Sequence, residues 1–186
     1  MTNNREKRIY QENVHLYMAL QRTSKQGNKN CIRTVIKDEE LDLKFLEAKL
    51  KVIGGEWRIH HTVNARNVEK ARIWLIKHLL DYPKNASFTD SAWRTALLQK
   101  ECKETNYFML DVDTKDLNKF DRVLGLIKVN FGNVIKCVAT PNGYHIMTDK
   151  FDTREVCKLD YVTLLRDGYY YIKTVNGEYN GIRKVS

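Results

Sequence analysis

Proline and long apolar runs are scarce in this chain. Its 186 residues include only two prolines and no Gly/Ser-rich tract, which argues against a flexible linker between separate modules. No run of about 18 apolar residues appears and no secretory signal is visible, so we expect neither a membrane span nor secretion. The four cysteines show no C-x-x-C pair and no zinc-like spacing with histidine. A protein of the reducing cytoplasm is therefore expected.

The composition is otherwise that of a folded domain with a basic surface. Hydrophobic residues make up 42% and charged residues 30% of the chain, which is long enough for one domain with a sizeable core. The net charge of +9 favours a polyanionic partner, because neutralising phosphates releases condensed counterions, although solvated surface lysines are the ordinary alternative. The basic excess is uneven, since residues 1–37 contain only two acids, Glu6 and Glu12. The basic residues of this segment are Arg5, Lys7, Arg8, Arg22, Lys25, Lys29, Arg33 and Lys37.

The first 105 residues are predicted to form a mostly helical segment with one or two strands. Apolar residues recur at helical intervals in several stretches, and Asn64 is the expected N-cap of one of these helices. The predicted helices are Ile9–Arg22, Asp38 to the Gly54–Gly55 stop, Asn64–Leu80 and Thr89–Cys102. The predicted strands are Cys31–Ile36 and Glu56–Val63.

The predicted strand Glu56–Val63 contains three candidate site residues, Arg58, His60 and His61. His60 and His61 are adjacent and point to opposite faces, so they cannot chelate one ion as a simple pair. We expect one of them to pack or hydrogen-bond in the core and the other to face a site. Arg58 shares a face with His60 and is a candidate phosphate contact.

Two acids end an apolar run that begins at Tyr107 and is predicted to be a strand. Because side chains alternate along a strand, Asp111 and Asp113 project from one face. A desolvated carboxylate costs free energy without a partner, and a pair of divalent cations bound by hard oxygen ligands is one such partner. The alternative is that Asp111 caps the strand and that Asp113 caps a helix beginning near Lys115.

A histidine follows on a later pair of strands. An amphipathic helix is predicted from Leu117 to Gly132, then strands at Val134–Thr140 and Tyr144–Met147 joined by a Pro-Asn-Gly turn. His145 lies two residues after Gly143, whose missing side chain lets a backbone or a ligand approach closely. We expect His145 to point to the same side of the sheet as the two acids.

The rest of the chain completes a predicted α+β domain. After a short helix at Asp152, strands at Leu159–Leu165 and Tyr169–Thr174 flank Asp167–Gly168, which is a strong hairpin signal. The order β-α-β-β-α-β-β predicts a sheet with helices on one face and a ligand on the other. The predicted divisions are 1–105, a core at 106–175, and a C-terminal tail or edge strand at 176–186.

These motifs resemble the catalytic core of the archaeo-eukaryotic primase superfamily, which includes the primase-polymerases of viruses and plasmids. The family's first motif, two hydrophobic residues before Asp-x-Asp, is matched by Met109–Asp113. Its second motif, a small polar residue, a short turn and a histidine entering a strand, is matched by Thr140–His145. A third-motif acid is matched loosely by Asp160, with Asp167 as a weaker candidate because its Asp-Gly context already explains it as a turn residue. The resemblance covers about Tyr107 to Tyr171 and implies an RRM-like palm sheet.

The resemblance implies roles for the matching residues. Asp111 and Asp113, with Asp160 as the third ligand, would hold Mg²⁺ or Mn²⁺. They would form the catalytic set with His145, which would contact the phosphates of an incoming nucleotide. The further residues expected to bind the triphosphate or to stabilise the leaving pyrophosphate are Thr140, Asn142, Lys115, Arg58 and Arg66.

The implied function is a metal-dependent nucleotidyl transferase that acts on nucleoside triphosphates and nucleic acid. A non-catalytic nucleic-acid or nucleotide-binding protein with a degenerate palm is one alternative, and a metal-dependent nuclease that uses the same acids is another. The stand-alone core suggests a bacteriophage or mobile-element protein that works in the host cytoplasm, with a replication or host protein as a further partner. The choice between DNA and RNA and the oligomeric state stay open.

Overall fold

The computed structural model describes residues 13–21, 30–36 and 39–177. The helices are α1 (Glu39–Ile53), α2 (Val68–Asp81), α3 (Thr89–Leu97) and α4 (Leu117–Val129). The strands are β1 (Asn13–Gln21), β2 (Cys31–Ile36), β3 (Trp57–Thr62), β4 (Arg66–Asn67), β5 (Phe108–Val112), β6 (Val134–Ala139), β7 (Tyr144–Thr148), β8 (Val162–Leu165) and β9 (Tyr169–Val175). This content confirms the predicted α+β class. None of the helices in these ranges is long and apolar enough to cross a bilayer.

The first sheet has the strand order β2-β1-β3-β9, and the short β4 pairs with β1. All of its pairings are antiparallel. One face of this sheet, which includes Trp57 and Ile59, packs against Leu46 and Leu50 of α1 in a buried core. We call the other face, which carries Arg58 and His60 of β3, the inner face of the first sheet.

The second sheet has the strand order β6-β7-β5-β8 and is also antiparallel. Leu110 and Ile146 point from neighbouring strands into a core that Phe120 and Ile127 of α4 complete. The alternation of β5 then places Met109 and its same-face neighbours on the opposite, inner face. Helix α4 begins at the cap residue Asp116, whose carboxylate accepts a hydrogen bond from the Asn118 N–H at 2.9 Å.

The inner face of the second sheet packs against β9, the edge strand of the first sheet. Val63 and Tyr171, from the part of the chain that builds the first sheet, form one buried cluster with Met109 and Val138 of the second. The predicted hairpin around Asp167–Gly168 is wrong, because β8 pairs with β5 whereas β9 pairs with β3. The turn is instead the point at which the chain leaves one sheet for the other.

The prediction of a helix at Ile9–Arg22 is also wrong, because residues 13–21 form strand β1. β1 is flanked by β2 and β3, and it buries Leu16, Tyr17 and Ala19 on both of its faces. A strand that is apolar on both faces has no clear two-residue alternation, and its apolar spacing imitates that of a helix. The part of the prediction at residues 9–12 and 22 lies outside the described residues.

Asn64 does not cap a helix as predicted. The cap of α2 is Asn67, whose side chain accepts a hydrogen bond from the Lys70 N–H at 2.9 Å. Asn64 is fully buried, and its side-chain oxygen accepts a hydrogen bond from the Tyr107 N–H at 2.7 Å. The described residues before 106 contain four strands and three α-helices, more strand than predicted. Of the predicted tail or edge strand at 176–186, residues 178–186 lie outside the described residues.

Candidate functional site

A cleft of about 420 Å³ lies between the inner faces of the two sheets. This volume is within the range of small-ligand sites. The second sheet and its end residues contribute Met109, Asp111, Asp113, His145 and Leu165 to the lining. The first sheet contributes Met18, Arg58, His60, Tyr169 and Tyr171, and two connecting segments contribute Thr140, Pro141, Asn142 and Gly168. The cleft therefore brings together side chains that are far apart in the sequence.

Asp111 and His145 are direct cross-strand neighbours in the second sheet. They are register partners in the β5–β7 pair, so their side chains project from the same face. The distance from His145 Nε2 to Asp111 Oδ1 is 3.4 Å. Asp113 follows β5, and its N–H donates a hydrogen bond to Tyr161 O at 2.9 Å, which continues the alignment beyond the strand end. Both carboxylates and the imidazole line the cleft.

A main-chain hydrogen bond determines the tautomer of His145. The Tyr171 N–H donates a hydrogen bond to His145 Nδ1 at 3.0 Å, and this contact is buried. An N–H group can only donate, so Nδ1 is the unprotonated nitrogen and the proton of a neutral ring lies on Nε2. β9 is the edge strand of the first sheet, so this imidazole also gives an edge N–H its partner. His145 thereby presents an N–H donor beside Asp111.

The turn Thr140–Gly143, which precedes β7, packs closely against the end of β5. Thr140 N–H donates to Gly143 O at 2.7 Å, and Gly143 N–H donates to Thr140 Oγ1 at 3.0 Å. A Cβ at Gly143 would lie 1.9 Å from Val112 O and 2.8 Å from Thr114 N. Only glycine allows this approach without backbone movement, and the approach brings Thr140 and Asn142 beside Asp113 at the cleft.

The first sheet supplies a basic and aromatic wall. Arg58 has a side chain only 16% exposed, and its Nε lies 3.5 Å from Glu56 Oε1. The ring of His60 lies 5.7 Å from that of Tyr171 and 6.4 Å from that of His145. His61 points to the other face, where its ring contacts that of Tyr17 at 5.6 Å. The adjacent histidines thus occupy opposite faces, and His60 is the one at the cleft.

Arg66 was a predicted phosphate contact, but it does not line the cleft. Its side chain is 1% exposed, and its Nη2 donates a hydrogen bond to Asp167 Oδ1 at 2.7 Å. Asn64 Nδ2 donates to the same oxygen at 3.2 Å. Asp167, the weaker candidate for a third metal ligand, is therefore a structural partner of Arg66, and neither residue lines the cleft.

Lys115 and Asp160 also lie outside the cleft lining. Both side chains are exposed, Lys115 in the loop after β5 and Asp160 in the turn before β8. The β8 residue opposite Asp111 in the register is Thr163, so the second sheet presents a hydroxyl at that position rather than an acid. In the described part of the chain, no group of three or more His, Cys, Asp or Glu side chains is arranged to hold a metal ion.

Two carboxylates nevertheless suit one kind of cation site. Mg²⁺ is commonly bound by one or two carboxylates, with water and substrate phosphate oxygens completing its octahedron. Asp111 has a side chain 32% exposed, and Asp113 is exposed, so both are accessible to a cation that arrives with a phosphate group. The residues present fit this arrangement and not an all-protein cage.

The tyrosines of β9 were not predicted to belong to the site. Tyr169 and Tyr171 line it only because β9 pairs with β3, which a local sequence signal does not reveal. Burial raises the pKa of Tyr169, while the positive charges of Arg33 and Arg66 oppose this shift. Arg33 of β2 therefore contributes positive charge at this residue of the cleft, although no sequence motif singles it out.

Comparison of the chain with protein-family models, curated proteins and solved structures finds no match in any of the three. What this cleft does must therefore be inferred from its own geometry: two acids and a histidine donor on one wall, and an arginine with aromatic rings on the other.

Proposed function

We propose that this protein is a metal-dependent nucleotidyl transferase of the primase-polymerase type, acting on nucleoside triphosphates and nucleic acid. The observation that carries the proposal is that Asp111, Asp113 and His145 line one cleft. These residues come from two strands and the end of one of them, and they match the acids and the histidine of the family's first two motifs. Their meeting in space is what a triphosphate site requires.

The topology of the second sheet supports an RRM-like palm. Its chain order is β5-α4-β6-β7, followed by a 3₁₀ turn at Val156–Lys158 and then β8. β5 and β7 are central and α4 covers one face, which supports a split β-α-β-β-α-β unit in which the 3₁₀ turn would take the place of the second helix. The free face of such a sheet is the face that carries the acids.

Each side chain has a distinct task in this proposal. Asp111 and Asp113 would hold Mg²⁺ or Mn²⁺, which when bound would neutralise triphosphate charge and lower the pKa of an attacking 3′-hydroxyl. The Nε2–H of His145 donates a hydrogen bond to a phosphate oxygen, and the ring is held in place by the Tyr171 N–H that donates to Nδ1. Arg58 adds positive charge from the opposite wall. The Thr140 hydroxyl accepts from Gly143 N–H and still has its own hydrogen to donate to the triphosphate.

The test is incorporation of labelled nucleotide into a primed strand in the presence of Mn²⁺. We expect wild-type activity, and a loss of at least about 100-fold in the double variant Asp111→Asn/Asp113→Asn. Asp121→Asn, which removes an exposed carboxylate from α4, is the matched control and should retain activity. Unchanged activity in the double variant would reject the site, and shortening of the labelled strand would identify a nuclease instead.

Binding without catalysis is the second candidate, and one observation favours it. The cleft lining contains two carboxylates, with neither Asp160 nor Asp167 among them. A palm that had lost its third acid would retain a basic surface for nucleic acid but would lack part of its metal site. Metal-independent, steeply salt-dependent binding with no product formed would support this candidate over the transferase.

A further inference from the structure

The inner face of the first sheet continues beyond the cleft. In the register of the sheet, Arg33 is opposite Met18, Met18 is opposite His60, and His60 is opposite Tyr171. These four residues form one row across the sheet, because cross-strand partners share a face. Three of them line the cleft, and Arg33 extends the row across β2.

A parallel row lies one step along the strands. Leu20 is opposite both Cys31 and Arg58, so these three residues also share the inner face. Cys31 and Arg33 are exposed, and Leu20 and Met18 are half-buried, so this part of the sheet is accessible. Neither Leu20 nor Met18 belongs to a buried apolar cluster of the described residues. The two rows form an apolar strip with an arginine toward each end.

This chemistry suits a single polynucleotide strand. Arginines that flank an accessible apolar and aromatic strip can contact phosphates while bases stack or pack between them. Charge determines which wall the phosphate backbone follows. Without a bound cation, Asp111 and Asp113 repel phosphates, whereas Arg58 and Arg33 on the first sheet attract them. A strand lying along the two rows would reach the cleft with one end beside the acids.

We infer that this strip, defined by Cys31, Arg33, Met18, Leu20 and Arg58, binds a single nucleic-acid strand and directs its end into the cleft. The inference deepens the proposed function, on which it rests for the chemistry at the cleft end. Binding along the strip itself needs no metal and no reaction. It can therefore be tested separately from catalysis.

Native cysteines provide a footprint of the strip. Cys31 and Cys157 are exposed, whereas burial raises the pKa of Cys102 and raises that of Cys137 to about 11, which keeps both in the unreactive thiol form. A single-stranded oligonucleotide of about 12 nucleotides, in EDTA, is added before timed alkylation and mass spectrometry. We expect it to slow alkylation of Cys31 severalfold and to leave that of Cys157, beyond the second sheet, unchanged. Equal protection of both cysteines, or of neither, would overturn the inference.

Charge variants complete the test. Arg33→Gln should lower oligonucleotide affinity about three- to tenfold and reduce the salt slope by about 0.7, the loss of one phosphate contact with a single strand. Arg122→Gln removes the same charge from an exposed position of α4, and it should change neither the affinity nor the salt slope. Equal effects of the two variants would overturn the strip. If no nucleotide is incorporated but Arg33→Gln alone weakens binding and Cys31 alone is protected, the transferase fails and the strip stands.

Discussion

The two sheets are alike in construction and opposite in chemistry. Each is antiparallel and has one face covered by a helix, α1 on the first sheet and α4 on the second. The inner face of the second sheet presents Asp111 with His145, whereas that of the first presents Arg58 with two tyrosines. A ligand between them meets acids on one side and a cation on the other. A metal-phosphate group, which carries both signs of charge, is complementary to such a cleft.

The sheets also differ in how the chain builds them. The second sheet uses one continuous stretch of the chain, from β5 to β8. The first sheet takes β1 to β4 from the start of the chain and β9 from its end. The cleft therefore depends on two connections, the tight turn at Gly143 within the second sheet and the turn at Asp167 between the sheets.

Breaking the first connection is expected to have the largest effect. Gly143→Ala would place a Cβ 1.9 Å from Val112 O, so the turn must move away from β5. We expect a loss of about 3 kcal/mol of unfolding free energy, the upper end of ordinary overpacking, measured by urea denaturation. Gly125→Ala is the control, because nothing lies within 4 Å of its added Cβ on α4, and it should gain about 0.5–1 kcal/mol. Similar changes in both variants would contradict the packing described for the turn.

The difference in construction explains which parts could be predicted from sequence. Strand β5, helix α4 and strands β6 and β7 follow local signals: alternation, an amphipathic repeat and a Pro-Asn-Gly turn. The shared face of Asp111 and His145 was predicted from the same alternation, although their strands, β5 and β7, are separated in the chain by α4 and β6. That part of the cleft was accessible to sequence reasoning.

The strand pairings of the first sheet and its contacts with the second sheet could not be predicted from local sequence signals. Arg66 was predicted to contact phosphate because it is basic and near a helix start, but its partner Asp167 is 101 residues away. The Asp-Gly pair was interpreted as a hairpin because a turn signal does not specify which strands pair on either side of it. The burial of β1 on both faces removed the alternation that marks a strand. Each error arose from a long-range pairing.

Breaking the second connection should have the next largest effect. Asp167→Ala leaves the guanidinium of Arg66, 1% exposed, without its anionic partner. We expect a loss of about 2 kcal/mol in urea denaturation, below the ~3–5 kcal/mol of a fully buried pair, because Asp167 is itself 36% exposed. Asp152→Ala breaks the solvent-exposed pair with Arg154 and should leave stability unchanged within error. Equal losses would mean that burial of Arg66 does not matter.

The hydrogen bond that joins the sheets at His145 should matter less. His145→Ala removes the acceptor of the buried Tyr171 N–H, and an unsatisfied buried donor costs about 1.5 kcal/mol. His145→Asn places an oxygen near the former Nδ1, so it should recover most of this loss while lacking the Nε2 donor. Hydrogen exchange at the Tyr171 amide is the sharper measurement, and we expect it to accelerate in the alanine variant only. Equal exchange in both variants would contradict the assigned tautomer.

The smallest expected effect sharpens the contrast between the two walls by adding an acid to the acidic one. Thr163→Asp places a third carboxylate opposite Asp111, and like charges at directly opposite positions destabilise a sheet. A cation bound between them removes that repulsion, so Mn²⁺ should raise the melting temperature of this variant more than that of the wild type. We expect Mn²⁺ affinity, measured by electron paramagnetic resonance of the free ion, to rise about fivefold, or ~1 kcal/mol. Thr163→Asn, which matches the aspartate in size without its charge, should bind Mn²⁺ as the wild type does. Equal affinities of the two variants would mean that the acids of β5 do not face a common cation position, and the acidic wall would then be an electrostatic surface without a metal-binding role.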